Sequence, residues 1–162
     1  MKRVLTEAVG IPLVLVTTLY APDWQFALTA GLFAAAALEE FLSLGDARGI
    51  GRPGKWFLPL GAMVTASFFG GTSWILAAMA FSAIALMTAA VFTRPLETAL
   101  GRVALGLGGI VYCCLLSGFL ILLSRESVLV LFAIVWVGDS SAFYAGRAFG
   151  KHLLAPAVSP KK

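Results

Sequence analysis

Charge is what this chain is shortest of: 12% of its 162 residues are Asp, Glu, Lys or Arg, while 60% are hydrophobic. Soluble domains carry about 25% charged and about 45–50% apolar residues. Eight acidic and twelve basic side chains are too few to cover a water-soluble fold of this length, so the apolar surface is expected to face lipid. Histidine and cysteine are scarcer still. His152 has no ligand cluster around it, and the adjacent Cys113 and Cys114 fit neither a zinc site nor a Cys-x-x-Cys redox pair. Neighbouring helical side chains diverge by about 100°, and both cysteines are read as packing residues. Long polar stretches are also missing. The connections Ala21–Asp23, Gly45–Lys55, Gly71–Thr72, Arg94–Arg102 and Ser124–Ser127 leave no room for a soluble domain. No internal repeat and no aromatic-basic nucleic-acid pattern accompany the net charge of +4.

What remains is hydrophobic. Six apolar runs lie at about 4–20, 24–44, 56–70, 73–93, 103–123 and 128–150, each near the roughly 20 residues that a helix needs to cross about 30 Å of hydrocarbon. They are continuous rather than alternating, which predicts an all-α polytopic bundle in one membrane domain, not a barrel. The third run is the shortest. Small residues recur, as in Ala34–Ala37 and Gly106–Gly109, and allow close helix approach. Tyr20, Trp24, Trp56 and Trp74 fall near the ends of runs, where interfacial aromatics belong. With the N-terminus in the cytosol, Lys2, Arg3, Arg48, Arg52, Lys55, Arg94, Arg102, Arg147, Lys151, Lys161 and Lys162 share that side and only Arg125 is outside. The positive-inside rule selects this orientation. The start Met1-Lys2-Arg3 looks like a signal peptide, but no small-x-small cleavage site follows, so the first run is read as an uncleaved helix.

Polar residues inside or beside these runs are the candidates for chemistry. Gly49-Ile50-Gly51-Arg52-Pro53-Gly54-Lys55 imitates a nucleotide-binding glycine loop, but Trp56 stands where a magnesium-binding hydroxyl is needed and a helix, not a strand, precedes it. It is read as a flexible basic turn beside lipid headgroups. Glu39 and Glu40 are adjacent on a helix and do not converge, so they are read as interface anchors. Asp139 is different. It follows the unbroken apolar run Val128–Val137 and Gly138, and an aspartate at mid-membrane costs about 2.5–3.5 kcal/mol to insert. Such a residue faces a polar cavity, an ion or a partner. Ser140, Tyr144, Arg147 and Lys151 recur at i, i+4, i+7 and i+11, so they share a helix face one step from Asp139 and lead towards the cytosolic end. Arg and Lys there suit anionic oxygens.

The segment from Gly138 to Lys162, Gly-Asp-Ser-Ser-Ala-Phe-Tyr-Ala-Gly-Arg-Ala-Phe-Gly-Lys-His-Leu-Leu-Ala-Pro-Ala-Val-Ser-Pro-Lys-Lys, resembles the central motif of the phosphatidate cytidylyltransferase (CDP-diacylglycerol synthase) family. That motif runs Asp-x-x-Ala, two aromatics, x-Gly-Arg-x-Phe-Gly-Lys-His-x-Leu-Ala-Pro-x-(Ile/Val)-Ser-Pro-Lys-Lys. The resemblance covers roughly the last sixth of the chain; the earlier runs are similar to the family in number and hydropathy alone. It implies transfer of a cytidylyl group from CTP to phosphatidate, giving CDP-diacylglycerol and pyrophosphate, in a bacterial inner membrane. It also implies Mg2+ as cofactor, with Asp139 as the catalytic, metal-organising carboxylate. Ser140, Tyr144, Arg147 and Lys151 are then expected to bind substrate, with Ser159, Lys161 and Lys162 in a cytosolic substrate loop beginning at residue 151. A homodimer is left open.

In the family, Thr and Glu-Gly follow this motif, and a later Lys-Arg, Lys-Asp, His-Gly-Gly and Asp-Arg signature supplies the main aspartates. The chain stops at Lys162, so it is expected to be the N-terminal part of a longer enzyme and inactive alone. Competing expectations are a related CTP-dependent lipid kinase, a CDP-archaeol synthase, a transporter and a non-catalytic membrane scaffold. Paired discontinuous helices, which would favour a transporter, are not apparent.

Overall fold

The computed structural model describes residues 2–92 and 94–149, and every regular element among them is helical. Continuous apolar segments have no water to bond their backbones, and a helix satisfies those groups internally. Contacts divide the chain into two compact units, Met1–Arg125 and Glu126–Lys162. The first begins with α1 (Lys2–Tyr20) and α2 (Asp23–Ala47). A loop then leads through a 3-10 turn (Lys55–Phe57) into α3 (Leu58–Ala66), a second 3-10 turn (Ser67–Gly70) and α4 (Thr72–Val91). A third 3-10 turn (Leu96–Thr98) opens α5 (Ala99–Gly109), which continues through a π-helical segment (Ile110–Leu115) into α6 (Leu116–Leu122). The second unit is described through α7 (Arg125–Phe149).

Four helices are long and apolar enough to cross a membrane: Asp23–Ala47, Thr72–Val91, the continuous stretch Leu96–Leu122, and Arg125–Phe149. Of the other two apolar runs, the first forms the 19-residue α1 and the second a shorter element. In α1 the apolar described portion is Gly10–Tyr20. The run 56–70 is a nine-residue α3 between two 3-10 turns, and nine residues of helix rise only about 14 Å. Pro59 starts α3, and Gly71, at φ 91°, lets the chain reverse into α4. The segment expected as a loop, Arg94–Arg102, is largely helical. Pro95 (φ −75°, ψ 152°) is extended and the helix begins at the next residue. A proline that ends one helix therefore also sets the entry to the next.

The core of the first unit is built around α2. Ala34, Leu38 and Leu42 face Phe57, Val64, Ala78, Leu86, Ile110, Cys113 and Cys114. Leu38 is fully buried. It is clasped from both sides: a Cβ on Gly61 of α3 would lie 2.6 Å from Leu38 Cδ2, and one on Gly109 of α5 would lie 2.7 Å from Leu38 Cδ1. Small residues thus bring three helices together where apolar attraction between helices is weak, as packing in lipid requires. Leu32, Leu76, Ile84, Leu116 and Leu122 remain exposed on the outside, as lipid-facing residues should. Tyr20, Trp24, Trp56 and Trp74 are exposed near helix ends. Cys113 and Cys114 are free and buried, in keeping with a packing role.

Several buried hydroxyls bond to backbone carbonyls, whereas the Ser82 hydroxyl, also buried, has no partner among the described residues. The Thr17 and Thr18 hydroxyls donate to carbonyls one turn back, Leu13 O at 2.8 Å and Val14 O at 2.7 Å. Thr65, fully buried on α3, donates instead across the bundle to the Cys114 carbonyl at 2.8 Å. Cys114 lies in the π-helical segment, where the widened turn upsets the i to i+4 ladder and frees carbonyls for outside donors. Thr65→Val keeps the shape and removes the donor. It is expected to lower the unfolding free energy by about 0.5–1.5 kcal/mol, measured by denaturant titration in mixed micelles; an unchanged midpoint would deny the bond any net value.

Candidate functional site

The second unit carries most of the residues singled out for chemistry. α7 is 25 residues long, enough to cross a bilayer, because an apolar run fills its first half and no proline interrupts the rest. Asp139, Ser140, Tyr144 and Arg147 all lie on it and are exposed. From Asp139 to Arg147 the helix rises about 12 Å. Within the helix, Ser140, Tyr144 and Arg147 fall on one face, and Asp139 is displaced from it by one residue, about 100°. The Tyr144 ring packs edge-on against Phe143, with centroids 5.5 Å apart. Seven and three residues before Asp139, Phe132 and Trp136 stack at 5.7 Å. The aromatic pairs flank a helix segment whose only carboxylate is Asp139. Lys151, Ser159, Lys161 and Lys162 lie outside the described residues.

Asp139 offers a single carboxylate. No group of three or more His, Cys, Asp or Glu side chains able to hold a metal occurs among the described residues. The donors present therefore fit no protein-only cage. They fit the way magnesium is commonly held, by one or two carboxylates together with substrate phosphates and water.

A second polar assembly sits in the first unit, where the α2–α3 loop meets the start of α5. Arg52 extends its guanidinium between two carboxylates of α2, with Nη1 2.7 Å from Glu39 Oε1 and Nε 2.7 Å from Asp46 Oδ2. Glu39 and Asp46 are seven residues apart and so share a face of α2. Glu40 points elsewhere and is exposed. Reading Glu39 with its neighbour missed this arrangement; the i, i+7 spacing to Asp46, followed by an arginine six residues later, was the signal that held it. Arg48, Arg52, Lys55, Arg94 and Arg102 all lie on or beside the connections at this end of the unit. At the other end, Arg125 pairs with Asp23 at 2.6 Å and lies over the Phe26 ring at 4.0 Å.

Four long apolar helices, one of them carrying an aspartate and an arginine along its second half, define a membrane protein of the helical class. The chain belongs to the cytidylyltransferase family, whose model matches residues 1–162. It is also similar to a phosphatidate cytidylyltransferase of Haemophilus influenzae, 57% identical over 35 residues, a stretch covering 22% of this chain and 12% of that protein. No solved structure matches it.

Proposed function

We propose that this chain serves the transfer of a cytidylyl group from CTP to phosphatidate, forming CDP-diacylglycerol and pyrophosphate at the cytosolic face of a bacterial inner membrane. The observation that carries the reading is the spacing of Asp139, Ser140, Tyr144 and Arg147 along one apolar helix in a member of the cytidylyltransferase family. A lipid phosphate cannot leave the bilayer surface and CTP cannot enter the hydrocarbon. The two must meet along a helix that carries polar groups from mid-membrane to the interface, and α7 is such a helix.

In this reading a phosphate oxygen of phosphatidate attacks the α-phosphorus of CTP, and the bond to the bridging oxygen of the β-phosphate breaks to release pyrophosphate. The transition state crowds negative charge, so catalysis is chiefly positioning and electrostatic stabilisation. Arg147 clamps a phosphate through two parallel N–H donors. Ser140 and Tyr144 offer hydroxyl donors on the same face, and Lys151, Ser159, Lys161 and Lys162 are assigned to the same substrates. Asp139 would hold magnesium jointly with the phosphates, and the bound ion would neutralise charge on the transferred group. The basic end of the first unit supports a cytosolic orientation for that side.

Labelled CTP tests the reaction. Membranes containing the chain together with the family's C-terminal signature, given phosphatidate and CTP labelled in the cytosine ring, are expected to yield a labelled, chloroform-soluble lipid. Transfer of label only from the γ-phosphate would point to a lipid kinase and defeat the proposal. Label on an archaeal ether lipid but not on phosphatidate would move the acceptor.

A further inference from the structure

The glycine-rich turn that fails as a nucleotide loop is built into a small basic pocket of the first unit. We propose that the pocket formed by Arg52, Pro53, Gly54 and Trp56 against Arg102 of α5 and Leu86 and Ala90 of α4 is a binding site for a phosphate group, carried by a lipid headgroup or free. The inference concerns the first unit alone and does not depend on the cytidylyl-transfer reading.

The turn is packed down onto α5. Gly51 has φ 75°, a left-handed conformation that glycine adopts without strain, and a Cβ there would lie 2.9 Å from Arg102 Nε. A Cβ on Gly106 would lie 3.2 Å from Pro53, and one on Gly101 would lie 3.0 Å from Ile50. The loop thus rests on three small or flat contacts along α5 and fixes Arg102 beneath Gly51. Pro53 is buried, and Trp56 turns back over Gly54, whose Cβ would meet the indole at 2.8 Å. The enclosed space is about 40 Å³, with one wall of Leu86, Ala89 and Ala90. That is room for roughly three water-sized groups, which suits the oxygens of one phosphate and excludes a nucleobase.

Charge decides what the space favours. Arg52 is already matched by Glu39 and Asp46. Arg102 is not matched: its terminal nitrogens reach only the Arg94 carbonyl at 3.3 Å, and no carboxylate among the described residues pairs with it. Its Nε is buried with no hydrogen-bond partner among those residues. A partly buried guanidinium without a carboxylate is costly unless another anion meets it. Arg102 lines the pocket, and a phosphate there matches its charge, the half-apolar wall and the interfacial tryptophan together. Lys55, exposed and next to Gly54 and Trp56 in sequence, adds a cation to the same turn.

The test uses the whole chain in dodecyl maltoside micelles, with thermal unfolding followed as dioleoyl phosphatidate, dioleoyl phosphatidylcholine or inorganic phosphate is titrated. Phosphatidate is expected to raise the midpoint saturably and phosphatidylcholine to leave it in place. Arg102→Gln should weaken the apparent affinity roughly 10- to 100-fold, the loss of one charged hydrogen-bonding partner. Ala90→Leu, which keeps every charge but fills the pocket, should weaken it as well. Arg48→Ala, a surface cation outside the pocket, should not. If inorganic phosphate gives the same saturable shift with the same pattern among variants, the site takes a free phosphate; if only phosphatidate does, it takes a lipid headgroup. Should Arg102→Gln fail to fold, Ala90→Leu decides alone. Absence of a phosphatidate shift in the unmodified chain, or a shift that Ala90→Leu leaves intact, overturns the proposal.

Discussion

In the chain joined to the family's C-terminal signature, Asp139→Asn is expected to lower cytidylyl transfer by about 10²–10³-fold, the usual cost of removing one preorganised charge-stabilising group. Asparagine keeps the size and one oxygen of aspartate but loses the negative charge. It is also cheaper to place in a lipid-spanning helix, so the variant should insert and fold at least as well as the original. That opposite sign separates the two roles Asp139 can play. If Asp139 works on the reaction, activity falls while thermal stability holds or rises, and the magnesium concentration for half-maximal rate increases. If Asp139 is held by hydrogen bonds that stabilise the bundle, stability falls and the rate per folded molecule does not. The measurement is labelled-lipid formation across a magnesium series, normalised to folded protein. An unchanged rate with unchanged magnesium dependence would end the catalytic reading of Asp139. Arg147 serves as the companion site. It lies two turns further along the same helix, where loss of a bidentate donor should act on substrate affinity rather than on magnesium.

Which parts of this structure were legible in the sequence follows from how many solutions physics allows. Continuous apolar runs in lipid admit only helices, and so α2, α4 and α7 lie where hydropathy places them. Boundaries were less constrained. Pro95 reads equally well as the end of a loop or the start of a helix, and the helix it starts absorbs Glu97 to Arg102. The run 56–70 has enough apolar residues for a crossing, but Pro59 and the Gly70-Gly71 pair cut it into a short helix with 3-10 ends. Asp139 stands out as a candidate because one acid in a long apolar helix has few cheap explanations. Its partners do not, because spacing along one helix says nothing about what meets it. The Glu39, Asp46 and Arg52 cluster shows the same limit. Two of its members are fixed by the period of α2, but the third arrives only because the loop folds back, which no local pattern specifies.

The second large effect is expected where helices α2 and α3 touch. A Cβ on Gly31 would lie 2.9 Å from the Ala62 carbonyl oxygen and 3.6 Å from its carbon and Cα. The obstacle is backbone, which cannot swing aside as a side chain can. Gly31→Leu therefore has to push α3 away, and overpacking of this kind costs about 1–3 kcal/mol, occasionally more. The cost spreads, because α3 carries Gly61 against Leu38 and Thr65 against Cys114, so displacing it loosens the contacts that join α2, α3 and the π-helical segment. Gly108 on α5 provides the contrast, since nothing lies within 4 Å of a Cβ placed there. Removing a helix-interior glycine at such a site gains roughly 0.5–1 kcal/mol of backbone entropy, so Gly108→Leu should leave the fold intact or strengthen it. Thermal unfolding in micelles measures both. A large drop for Gly31→Leu beside no drop for Gly108→Leu marks the α2–α3 crossing as the close contact on which the first unit rests, and equal drops would show that glycine matters here for helix flexibility rather than for packing.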